Sequence, residues 1–221
     1  MTSPSSRKFL LPLLLFGLVC PAVEHSATGP VSPMHATLPQ QQPSWKVYRA
    51  PGVPFEFSYP DAFLLDAHVN PGLGFVFALM KQTGTPWLVD IGFEDRAGYS
   101  MEPYNKMSLE EFAIARAQVA CQADGPEGSV SCPAVARKET FRNQKGVDVV
   151  EIYLNRVNEG YDPPKIEKSV IGPIEAVLLP TGRSGQVLTF KRTDNDKKGL
   201  VSDDLLRRMA DLVSVRRWPD L

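Results

Sequence analysis

Cys121 and Cys132 are the residues of this 221-residue chain whose type and spacing most directly define a chemistry. They do not form C-x-x-C, so thiol exchange of the thioredoxin kind has no motif here. An even pair in an oxidising compartment reads as a structural disulfide. The loop-like segment between them, Gln122–Ser131, would close with a gain of about 3 kcal/mol in the chain-entropy account. Histidine is scarce, at three residues. His25 and His35 lie in a polar N-terminal stretch, so serine–histidine or cysteine–histidine catalysis would rest on His68 alone. H-x-x-x-H and H-E-x-x-H are both missing, and no zinc site is expected. The run Asp194-Asn195-Asp196-Lys197-Lys198-Gly199 begins like a calcium loop. It fails at Lys198, where an oxygen ligand is required, and at Leu205, where the bidentate glutamate would stand.

Other motifs end in the same place. Gly182-Arg183-Ser184-Gly185 is one residue short of a nucleophile elbow and reads as a turn. Phosphate-binding glycine loops do not occur. Glu94-Asp95 reads as a strand end, and Asp203-Asp204 as a helix first turn, where the dipole favours negative charge. No catalytic residue, metal or cofactor is therefore nominated. One segment has an interface-like composition: Arg96–Met107, with Tyr99, Met101 and Tyr104, joined by Tyr161 in a later turn. Aromatic residues and Met are enriched at interfaces, which makes these four the partner-binding candidates. The alternative is that the rings fold back over the core as a lid.

These residues need a scaffold, and the hydrophobic pattern supplies one. Phe55, Phe57 and Tyr59 alternate with Glu56 and Ser58, which predicts a half-buried strand stopped by Pro60-Asp61. Further strands are expected over 62–69, 74–80 and 87–94. Ser108 with Glu111 three residues later is a capping box. The helix it opens should bury Leu109, Phe112, Ala113 and Ala120, with Val119 beside them and Arg116 inside the stripe. Strands over 136–142 and 147–154 flank the turn signal Asn143-Gln144-Lys145-Gly146. Asn158–Pro164 reads as a break, followed by strands over 166–179 and 186–192. Ser202 caps a last helix that buries Leu205, Leu206, Met209, Leu212 and Val213 and leaves Arg207, Arg208 and Asp211 wet. Strand runs around one central helix, closed by a terminal helix, give an α+β class: a mainly antiparallel sheet covered by two helices.

The N-terminus predicts export. Arg7 and Lys8 precede an apolar run, Phe9–Val19, which is too short to span a bilayer and the right length for a signal peptide. Cleavage is expected after Ala22. Lipidation at Cys20 is the rival reading, although Gly17 and Val19 depart from that pattern. Residues 23–44 are rich in Pro, Ser, Thr and Gln and read as a disordered tether before a single domain over 45–221. The net charge of −1 becomes more acidic once Arg7 and Lys8 are removed. That leaves no basic footprint for nucleic acid, and no second apolar run reaches membrane-spanning length.

Phe57-Ser58-Tyr59-Pro60-Asp61, Met107-Ser108-Leu109-Glu110-Glu111-Phe112, the hairpin around Gly146 and the closing helix Leu205–Val215 together resemble the α/β/α sandwich of PsbP-like and Ran-binding Mog-type proteins. The resemblance covers nearly all of Trp45–Arg217. It implies a non-catalytic binding or assembly role. The leading expectation is a periplasmic or secreted protein that binds a protein partner, an immunity-type inhibitor being one version. The alternatives are a carboxylate-dependent hydrolase, marked by perturbed carboxylates converging in a deep pocket, and a small-ligand carrier, marked by an apolar cavity between sheet and helix.

Overall fold

A computed structural model describes residues 44–49, 53–70, 74–99, 103–122, 129–161, 164–183 and 185–216. The first strands are β1 (Trp45–Tyr48), β2 (Phe55–Pro60), β3 (Leu64–Asn70), β4 (Gly74–Met80) and β5 (Val89–Asp95). Helix α1 (Leu109–Gln122) leads to β6 (Val130–Arg142), β7 (Asp148–Tyr161), β8 (Pro164–Leu179) and β9 (Gln186–Arg192). Helix α2 (Asp203–Asp211) and β10 (Ser214–Val215) close the fold. The strands form a seven-stranded sheet of order β3-β4-β5-β9-β8-β7-β6 and a small sheet of order β1-β2-β10. Every pairing is antiparallel. This is the expected α+β class.

Alternation decides which side chain goes where, because successive residues of a strand point to opposite faces. On one face Val149, Val177, Leu188, Phe190, Ile91 and Phe93 meet Phe55 and Phe57 of β2 and Leu206 and Met209 of α2 in one buried cluster. On the other face Val150, Ile152, Leu154, Ile174 and Ala176 meet Phe112, Ala113, Ala117 and Cys121 of α1. The large sheet is thus the middle of an α/β/α sandwich, with the small sheet sharing the α2 side.

Both helix starts follow from their caps. At α1, Ser108 Oγ accepts from the Glu111 backbone N–H and Glu111 Oε2 accepts from the Ser108 N–H, the reciprocal bonds of a capping box. At α2, Ser202 Oγ accepts from the Leu205 N–H. The far end of α2 is held by Asn143, which is buried in the β6–β7 turn. Its Nδ2 donates to the carbonyls of Ala210 and Val213, while its Oδ1 accepts from Lys145 and Val147. One side chain therefore closes a turn and satisfies helix-end carbonyls that would otherwise be orphaned.

Three expectations are corrected. First, β6 begins at Val130, six residues before the predicted start. Pro133 argues against a strand there, but β6 is an edge strand, where a missing N–H is tolerated. Second, Asn158–Tyr161 do not break the chain. The ladder runs on to Tyr161 opposite Pro164, and residues 162–163 lie outside the described set. Third, α1 is rotated from its predicted face: Ala117 and Cys121 are buried, while Val119 is 37% exposed. The Cys121–Cys132 disulfide, with Cα atoms 6.2 Å apart, turns the helix end toward β6.

Candidate functional site

α1 lies over β6–β9 and leaves the β5 side of its sheet face open. The result is a groove of about 370 Å³ between the helix and the sheet. Its floor is made of small or apolar residues: Gly92 of β5, Thr189 of β9, Ile174 of β8, and Ala117 and Ala120 of α1. Gly92 keeps that floor flat. A Cβ there would stand 2.7 Å from Thr189 Oγ1, closer than non-bonded atoms approach. Trp87, 38% exposed, stands at the rim.

Charged residues line the groove as pairs. Arg116 of α1 donates to Glu94 of β5, and Lys191 of β9 lies 3.8 Å from Asp90 of β5. The Glu94 carboxylate also accepts from the Tyr99 hydroxyl at 2.9 Å, and the Arg116 guanidinium sits 4.9 Å over the Tyr99 ring. Burial, reinforced by the adjacent Glu94 charge, pushes the Tyr99 phenol up to about 12. At neutral pH this hydroxyl is a donor and not a base. Arg116, which falls inside the predicted apolar stripe and would by itself be expected to snorkel past the edge of the core, instead contacts the Glu94 carboxylate.

The tyrosine segment is folded inward. Tyr99 and Tyr104 pack with ring centroids 5.3 Å apart, and both meet Phe112 of α1, at 5.2 and 6.1 Å. Asp95 caps a short turn over Arg96–Gly98, and a second turn spans Tyr104–Lys106. Arg96 donates to the Met107 carbonyl and so pins the two ends of the segment together. Tyr99 thereby reaches the groove through Glu94 and Arg116, and Tyr104 stands behind it. Met101 lies outside the described residues. Tyr161 falls at the end of β7, and its side chain is outside the described set, as is that of His68 on β3.

A second cluster lies on the opposite face of the sheet. Register places Glu139, Glu151 and Glu175 in one cross-strand row on β6, β7 and β8. Arg207 of α2 reaches Glu151 at 3.0 Å and Glu139 at 3.7 Å, and its guanidinium lies 4.0 Å over the Phe141 ring. Arg137 approaches Glu151 from the edge strand at 3.4 Å. Helical spacing assigns Arg207 to the wet face of α2; in the structure it is the helix's tie to the sheet. Glu175 is 0% exposed, no donor reaches either of its carboxylate oxygens, and its hydrogen-bonding neighbour is the Glu151 carboxylate. Burial, with the Glu151 charge beside it, raises its carboxyl to about 8. Carboxylates do converge in this protein, and Glu175 among them is perturbed, but beneath α2 and away from the groove.

No family model matches the chain. No curated protein matches it at a significant level. Among solved structures, the chain is similar to the solution structure of cyanobacterial PsbP (CyanoP) from Synechocystis sp. PCC 6803. The likeness covers 83% of this chain and 99% of that one, at 14% identity and a TM-score of 0.45. Among the described residues no helix is long and apolar enough to cross a membrane, which says nothing of strands crossing as a barrel.

Proposed function

We propose that this chain is an exported, non-catalytic binding protein that receives an apolar segment of a protein partner in the groove between α1 and β5. One observation carries the reading: the groove joins a flat apolar floor to charges already neutralised in pairs. A reacting site needs groups held ready to change charge or to attack. A recognition site needs apolar area to desolvate and polar groups that will not be left unpaired when water leaves. Trp87 at the rim is of the residue type that most often dominates binding energy. Tyr99 serves this site by holding Glu94 and Arg116 in place, so its contribution to binding is positional. The Cys121–Cys132 bridge is consistent with an oxidising compartment, in keeping with the basic-apolar-small pattern at the N-terminus.

A small-ligand carrier is the second reading, favoured by the groove volume, which falls within the range of ligand pockets. One experiment separates the two. A photoreactive residue at Ala120, in protein exported by a bacterial host, should crosslink to a discrete protein, and the crosslink should vanish with Trp87→Ala. Native mass spectrometry of the same preparation should show no bound small molecule. A stoichiometric small-molecule adduct lost with Ala120→Trp would establish the carrier reading instead.

A further inference from the structure

Glu175 has an environment that a carboxylate tolerates badly. It sits directly across from Glu151 on the neighbouring strand. On its other side in the row it faces the ring of Phe190 of β9. Around the pair stand Arg137 and Glu139 from β6 and Arg207 and Asp211 from α2. Arg137 and Arg207 offset only two of the three negative charges of Glu139, Glu151 and Asp211, so the neighbourhood is already short of positive charge while Glu175 carries a proton. Losing that proton places an extra negative charge in a buried site, next to a like charge. A glutamine would fill the same volume and stay neutral at every pH. A glutamate does so only while it holds a proton.

We infer that the Glu151–Glu175 pair is a proton-operated latch on α2, closed when Glu175 is protonated and loosened when it ionises. Arg207 is the moving contact, since it joins α2 to Glu139 and Glu151 in the same row. Hydration of an ionised Glu175 requires α2 to lift from β7 and β8. Asn143 holds the C-terminal end of the helix through the Ala210 and Val213 carbonyls, and Arg192 pairs with Asp203 at its first residue, so opening centres on the Arg207 turn between them. The raised carboxyl of Glu175 agrees with this geometry. Its folded-state value stands above the ordinary 4.5, so the folded chain holds a proton that the unfolded chain gives up. Linkage then makes the fold weaker as pH rises between about 4.5 and about 8, and the latch tightest in acid.

Hydrogen-exchange mass spectrometry on the full chain tests the latch, with rates corrected for the pH dependence of intrinsic exchange. Between pH 6 and pH 9 the protection of α2 should fall at least tenfold, while that of α1 changes less than twofold. In Glu175→Gln the fall should disappear. Glu151→Gln removes the like charge, and the pH at which protection falls should then change by at least one. The infrared carbonyl band of a protonated carboxylic acid should be present at pH 7 in the native chain and missing in Glu175→Gln. The latch is overturned if α2 protection is flat with pH, if Glu175→Gln loses it as the native chain does, or if the infrared band is missing at pH 7. Should Glu175→Gln fail to fold, the infrared band of the native chain and the altered midpoint in Glu151→Gln decide the question alone.

Discussion

The two faces of the seven-stranded sheet are built to different ends. On the α2 face, large side chains close the surface: Phe55 lies 4.9 Å from Phe93 and Phe57 lies 5.8 Å from Phe190. On the α1 face, the corresponding surface of β5 and β9 carries Gly92 and Thr189 and remains open beside the helix. Their glutamates differ in the same way. Glu94 on the α1 face has a guanidinium and a hydroxyl as partners. Glu175 on the α2 face has neither and keeps a proton instead. Labour is thus divided between the faces. The α2 face is closed by large buried rings, and the α1 face packs its own core under the helix but leaves a groove beside it.

Phe57 puts this division to its most severe trial. Phe57→Ala removes a fully buried ring and should cost about 3–5 kcal/mol in denaturant unfolding. A loss under ~1 kcal/mol would show that the α2 face is not the closed core described. Next comes Glu175→Gln. At pH 9 it should stabilise the fold by up to about 5 kcal/mol, since each tenfold change in proton affinity is worth about 1.4 kcal/mol and the carboxyl is raised from 4.5 to about 8. Below pH 4.5 the gain should vanish, because both side chains are then neutral whether the chain is folded or not. Chemical denaturation across that pH range reads the difference directly. Replacing Cys121 and Cys132 together by Ser should lower stability by roughly 2–4 kcal/mol, with hydrogen exchange rising first at the C-terminal end of α1.

Smaller effects are expected on the open face. Tyr99→Phe deletes one hydrogen bond to Glu94 and should cost about 1 kcal/mol, while loosening Arg116 enough to weaken partner capture. Trp87→Ala should change stability by no more than ~0.5 kcal/mol yet weaken binding at least tenfold, by about 1.4 kcal/mol or more. A Trp87→Ala variant that melts early but binds normally would move the rim residue from the binding surface to the core.

Local signals explain how much of this was legible beforehand. The alternation Phe55, Phe57, Tyr59 and the run Val89, Ile91, Phe93 marked strands because each residue's neighbour is polar or small. Ser108 with Glu111, and Ser202, marked helix starts because capping is decided within four residues. The site was hidden for the opposite reason. Its floor joins Gly92 to Thr189, and its rim joins Glu94 to Arg116, through strand pairings and helix placement that span long stretches of chain. Glu151 and Glu175 are twenty-four positions apart and become neighbours only through register. Tyr99 and Tyr104 were conspicuous by composition. Composition, though, does not tell whether a ring looks out at a partner or in at Phe112, and here the rings look in.

The irregularities of three adjacent strands fall at one level of the sheet. β6 shifts register between Ser131 and Ala134 and again between Val135 and Arg137. β8 inserts an extra residue at Gly172-Pro173, opposite Tyr153. Gly172 is obligatory there, since a Cβ would stand 2.8 Å from the Ile152 carbonyl. Bulges bend a sheet and strengthen its twist. Aligned across neighbours, they form a crease that bends the sheet where β6 meets the end of α1 at Cys132, and beyond Val130 the β7–β8 pair runs on as a two-stranded ribbon. Pairing in the rest of the sheet is fixed by its own buried residues, so the ribbon can be shortened or lengthened by matched pairs of residues without disturbing them. The crease makes the ribbon a module. Its reach can be retuned in evolution or by design while the groove and the latch stay as they are.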